Sequence, residues 1–111
     1  MDFNDFFEPI ELEGDLSYDY KASSFVNHID FFNNQDLSDY KLAIIGVGEE
    51  RSAFNNEGCA LAPNHIRKYL YRLTNFNTSN KIIDLGNLKI GSTVNDTYFA
   101  LSSILEELIK K

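Results

Sequence analysis

The chain has 111 residues, 43% of them hydrophobic, with nine Phe, six Tyr and no Trp. That length and composition predict one globular domain with a core of modest size. A net charge of −7 excludes nucleic acid and anionic membrane surfaces as expected partners, because both require a basic field.

The single cysteine, Cys59, excludes an internal disulfide and points to a reducing cytoplasm. The N-terminus, "MDFNDFFEPIELEG", has neither the basic region nor the apolar run of a signal peptide. No apolar run approaches membrane-spanning length.

The acidity is uneven. Residues 1–40 hold most of the Asp and Glu with a single Lys, and residues 41–111 are closer to balance. The chain thus divides into an acidic, aromatic arm, 1–40, and a second portion, 41–111. Pro9 and Gly14 break residues 1–20, which predicts an irregular arm with one helical turn near Phe6. Within 22–33, Phe25, Val26, Ile29 and Phe32 fall at helical spacing, so a short helix is expected, with a strand as the alternative. "NNQDLSDY" reads as a polar connection.

"KLAIIGV", 41–47, is a continuous apolar run bounded by Gly, the pattern of a strand buried on both faces. A long polar loop follows. Pro63 suits the first turn of a helix. Ile66, Tyr69, Leu70 and Leu73 form an apolar stripe there, with Asn64, Arg67, Lys68 and Arg72 on the wet face. "KIIDLG", 81–86, reads as a second strand. Thr93 and Asp96 resemble a capping box opening a last helix. Its expected stripe is Val94, Tyr98, Leu101, Leu105 and Leu108, with a Glu106–Lys110 pair outside.

The order is arm, short helix, strand, loop, helix, strand, loop, helix. The fold class is α/β with a parallel βαβα unit. Two parallel strands do not make a viable sheet, so at least one more is expected.

Chemistry-bearing patterns are sparse. "GVGEER" holds a lone G-x-G, but Arg51 stands where a dinucleotide fingerprint needs its third Gly, and no P-loop spacing occurs. His28 in "NHID" lacks the further ligands of a metal site and reads as a helix-surface side chain. His65 reads as solvated, and Cys59 as a small, half-buried loop residue. Glu49–Glu50 and Glu106–Glu107 read as ordinary solvated charge. No catalytic constellation stands out.

The ordered features of residues 41–111 nevertheless resemble the N-terminal part of the arginase, agmatinase and formimidoylglutamase family, the ureohydrolases. They are the strand ending in Gly46-Val47, a loop with Asn56 and Gly58, Ala62-Pro63 with Ile66-Arg67, and Asp84-Leu85-Gly86-Asn87 before a Thr-capped helix. The family commonly has "D-x-G-D" where this chain has Asn87.

The resemblance implies a three-layer α/β/α fold, of which this chain would be a part. It also implies two manganese ions that activate a hydroxide to attack a guanidine or amidine carbon. The family's ligand motifs, Gly-Gly-Gly-His-Asp, Asp-Ala-His-x-Asp and Asp-x-Asp, do not occur here. No metal ligand and no catalytic residue is therefore assigned, and the chain alone is expected to be inactive.

By the same resemblance the 48–62 loop is one wall of an active-site mouth, with Arg51, Asn55 and Asn56 facing a substrate. The alternative is a surface loop that satisfies itself. The expected partner is the rest of the arginase-like domain, or a second copy paired through the exposed edge of strand 41–47. The other reading is a stand-alone α/β binding or interaction module.

Overall fold

The computed structural model describes residues 3–51, 58–74 and 80–110. They form a small mixed α/β fold, a four-stranded mixed sheet with two α-helices. The strands are β1 (Phe7–Glu8), β2 (Asp30–Phe31), β3 (Leu42–Gly46) and β4 (Ile82–Leu88). The helices are α1 (Ala62–Leu70) and α2 (Val94–Ile109). No helix among the described residues is long and apolar enough to cross a membrane.

β4 is the centre of the sheet. On one side it pairs in parallel with β3 along its length. On the other it meets β2 in parallel at Asp30–Ile83 and Phe31–Asp84. It then meets β1 antiparallel at Phe7–Leu88 and Glu8–Asn87. The arm is therefore not merely irregular: two short strands from residues 1–40 stand end to end beside β4. The expected helical turn appears at Phe3–Asp5.

Two expectations fail here for identifiable reasons. Residues 22–33 do not form a helix beyond a short 3-10 turn, Phe25–His28, and Asp30–Phe31 joins the sheet. Their backbone is engaged elsewhere. Phe25 N–H donates to Leu73 O at 2.7 Å and Val26 N–H to Tyr71 O at 3.3 Å, tying the segment to the end of α1. Second, β3 forms as expected but is not buried on both faces. It pairs only with β4 among the described residues, and Leu42 is 54% exposed.

Alternate residues of β4 reach opposite layers, as the two-residue period of a strand requires. Ile83 and Leu85 pack with Phe3, Phe7, Leu37 and Ile104, with Leu101 and Leu108 of α2 alongside. Ile82 packs with Leu16, Val26, Ile29 and Tyr71. Asp84 points to the same side, toward α1. The two helices thus lie on opposite faces of the sheet.

Pro63 sits in the first turn of α1 as expected. The helix, however, is turned the other way. Ile66, Tyr69 and Leu73 are 63%, 66% and 56% exposed, while Arg67 is 2% exposed. The polar row Asn64–Arg67 and the following Tyr71 face the sheet, drawn there by the carboxylate of Asp84. α2 is rotated less. Thr97 and Ile104 are buried, Leu101 and Leu108 pack beside them, and Tyr98 and Leu105 are exposed. Thr93 caps α2, its hydroxyl accepting from Asp96 N–H at 3.1 Å. Lys110 lies 3.6 Å from Glu106, an exposed pair that contributes little.

Candidate functional site

The C-terminal ends of parallel strands are where open α/β sheets hold ligands. In this chain that end carries two polar arrangements. The first grows from Asp84 in β4. Its Oδ2 accepts from Arg67 Nε at 3.0 Å and from Tyr71 Oη at 2.6 Å. Its Oδ1 accepts from Arg67 Nη2 at 2.9 Å and from Gly86 N–H at 3.0 Å. Arg67 spends its remaining donors on Gly86 O, Asn64 Oδ1 and Asn87 Oδ1. Asn87 Nδ2 in turn donates to Asn64 Oδ1 at 3.1 Å.

Every lone pair of the carboxylate and every N–H of the guanidinium is therefore used. Such saturation is what permits a charge pair inside a core. Burial and the Asp84 carboxylate both push the Tyr71 phenol up from its ordinary value, so it stays protonated.

Two glycines allow the network to close. Gly86 has φ +96°, and a Cβ there would strike the carbonyl of Glu8. A Cβ on Gly46 would strike the side-chain amide oxygen of Asn87 and come within 2.9 Å of Arg67 Nη1 and Pro63 Cβ. The outer rim, Asn64 and Asn87, borders an open cavity of about 390 Å³ that Glu8, Glu11 and Glu13 also line. Three carboxylates and two amides make its wall polar and negative, suited to hydrogen-bond donors rather than anions.

The second arrangement is the loop after β3. Glu49 Oε1 accepts from Arg51 Nε at 2.8 Å and Arg51 N–H at 3.0 Å. Its Oε2 accepts from Arg51 Nη2 and from Thr97 Oγ1, the latter at 2.8 Å. Arg51 also donates to Ser92 O and Gly91 O at 2.9 and 2.8 Å. The loop is thereby pinned to the start of α2. The Arg51 guanidinium, then its backbone N–H and the Thr97 hydroxyl, hold the Glu49 carboxyl down at about 2, against the opposing effect of desolvation.

Of the three residues expected to face a substrate, Arg51 is committed to these protein contacts, though its side chain stays 39% exposed. Asn55 and Asn56 lie outside the described residues. Of the polar rim, the sequence marks Asn87 only as a departure from the family pattern, and it gives no signal for Asn64 or Glu8. The apolar stripe places Asn64 on the wet face of α1, whereas the helix turns it toward the sheet.

Among the described residues, no group of three or more His, Cys, Asp or Glu is placed to hold a metal ion. The exposed His28 ring bonds to Ala22 O at 2.9 Å, and His65 is exposed on α1. The residues present therefore do not fit a two-manganese centre. Cys59 Sγ lies 4.0 Å from Glu49 O. Compared with known proteins, the chain matches no family model, no curated protein and no solved structure.

Proposed function

We propose that this chain is the N-terminal portion of an arginase-type hydrolase, inactive by itself. The whole enzyme would act on a linear guanidine or amidine C–N bond, in the manner of an arginase or a formimidoylglutamase. One observation carries the reading. Residues that bear the resemblance, scattered along the sequence, meet at one place: Gly46 packs against Pro63, Arg67 and Asn87, and Arg67 binds Asp84, Gly86 and Asn87. A motif kept for a shared scaffold would converge in this way.

The parallel β3–α1–β4 unit, with α2 on the other face, further suits one end of a three-layer α/β/α sheet. Asn87 in place of the family's common Asp fits its setting, since its amide donates to Asn64 Oδ1 and a carboxylate could not. Manganese would be bound by residues outside this chain, and no catalytic step is assigned within it.

A second reading has an observation of its own. β1 and β2 complete the sheet beyond β4, which suits a small α/β binding module that stands alone. The two readings separate when the coding sequence is read past Lys111 and its product assayed. A continuation into an apolar strand and a Gly-rich turn with His and Asp, with manganese-dependent release of urea or formamide, supports the hydrolase. A stop codon directly after Lys111 overturns it and leaves the binding module.

A further inference from the structure

The outer edge of β3 is flanked on both faces by apolar clefts. On the α1 face a cleft of about 230 Å³ runs between Ile44, Gly46 and Ile66, Leu70. On the α2 face one of about 180 Å³ runs between Leu42, Ala43 and Leu105, Ile109. Between them alternate residues of β3 turn backbone N–H and C=O groups outward, as any strand edge does. Only an extended backbone answers that edge and sends successive side chains into two clefts on opposite faces.

The helices say which way it runs. α1 crosses from β3 to β4 on one face. α2 leaves β4 on the opposite face, and its last turn returns beside Lys41 and Leu42. Reversing both the direction of travel and the face preserves the hand of a parallel crossover, so a parallel strand entered from α2 would fall outside β3. Charge favours such a strand over a second copy. Each copy carries −7, which opposes self-pairing. A parallel strand that is acidic at its start and basic at its end would meet Lys41 first and Glu50 last.

We propose that the outer edge of β3, which pairs with no other described strand, is the docking site for an aliphatic strand running parallel to it, acidic at its N-terminal end and basic at its C-terminal end. Its source is the remainder of the domain, the one point that rests on the hydrolase reading.

The probe is a synthetic peptide, Glu-Val-Ile-Val-Thr-Val-Lys, carrying a nitroxide at its N-terminus and titrated into the isotopically labelled chain. Binding with amide broadening at Leu42 and Ala43 is expected. Ile66→Asp and Ile109→Asp, each lining one cleft and exposed, should weaken it about tenfold or more, and Phe99→Asp, away from both, should not. The peptide with its terminal charges exchanged should bind less well.

Broadening at Gly46 and Val47 instead, no binding, or a chain dimer that the peptide fails to dissociate overturns the proposal. Peptide docking together with a stop codon after Lys111 would keep the docking edge and overturn only the hydrolase reading.

Discussion

Arg67 and Asp84 form a bidentate pair between α1 and β4, at 3.0 and 2.9 Å, with both side chains almost wholly removed from water. The pair joins the helix layer to the central strand through charge rather than through hydrocarbon. Removing one partner strands the other in the core. Arg67→Met should therefore cost about 3–5 kcal/mol, read as a fall in the urea midpoint followed by circular dichroism. Adding Asp84→Leu to that variant should restore part of the loss, because the orphaned charge goes with it. A single variant as stable as the parent would show that the pair is not closed in solution.

Glu49 gives the fold a pH dependence of known sign. Its carboxyl falls from an ordinary value of 4.5 to about 2 in the folded chain, chiefly through the Arg51 guanidinium. A depressed folded value means stability that is fully present above the unfolded value and lost as pH falls through the folded one. The contribution should fade between about pH 4.5 and about pH 2. Glu49→Gln should flatten the stability curve in that window. A carbon-detected titration of the Glu49 carboxyl with a midpoint near 4.5 would refute the clasp.

What was legible in the sequence depended on how local its cause was. β3, β4, α1 and α2 announced themselves through apolar runs, a proline and a threonine cap, all set by neighbours in sequence. The orientation of α1 was not local. Its stripe of Ile66, Tyr69 and Leu73 is a genuine amphipathic pattern, yet a carboxylate 17 residues from Arg67 turns the helix over. A buried Asp in "KIIDLG" facing an Arg on the next layer was the available signal.

The two strands of the arm are invisible in sequence for a similar reason. Two-residue strands have no periodicity to detect, and β1 and β2 exist only because β4 offers an edge. The candidate site depends on both: its rim, Asn64 and Asn87, is made by the turned helix, and Glu8 comes from the arm.

Gly46 closes β3 where the backbone passes against Asn87, Arg67 and Pro63. A methyl group there meets Asn87 and Arg67, which are fixed by hydrogen bonds, and the rigid ring of Pro63, so they cannot give way cheaply. Gly46→Ala should cost about 1–3 kcal/mol, with the largest chemical-shift changes at Arg67 and Asn87. Gly58→Ala has open space around its Cβ, but its φ of +100° makes any side chain strained there. Its cost should be local, leaving the Arg67 and Asn87 resonances in place.

Thr93 accepts from Asp96 N–H at 3.1 Å and begins the helix to which the Glu49–Arg51 clasp is tied. Thr93→Ala should cost about 0.5–2 kcal/mol, and Thr93→Ser much less. Hydrogen exchange should speed up in the first turn of α2 and, through Gly91 and Ser92, in the loop that Arg51 holds. Faster exchange confined to the end of α2 would contradict this.

The inverted face of α1 gives the sharpest contrast with the pattern seen in sequence. If the stripe faced the core, Ile66→Lys would open a cavity and bury a charge, and Arg67→Met would be harmless. In the folded chain Ile66 looks outward and Arg67 inward. Ile66→Lys and Tyr69→Lys should each change stability by no more than about 0.5 kcal/mol, as surface substitutions do. They should also lessen self-association by shrinking an exposed apolar patch. Urea midpoints of Ile66→Lys and Arg67→Met measured side by side decide the matter, because the two orientations predict opposite rank orders.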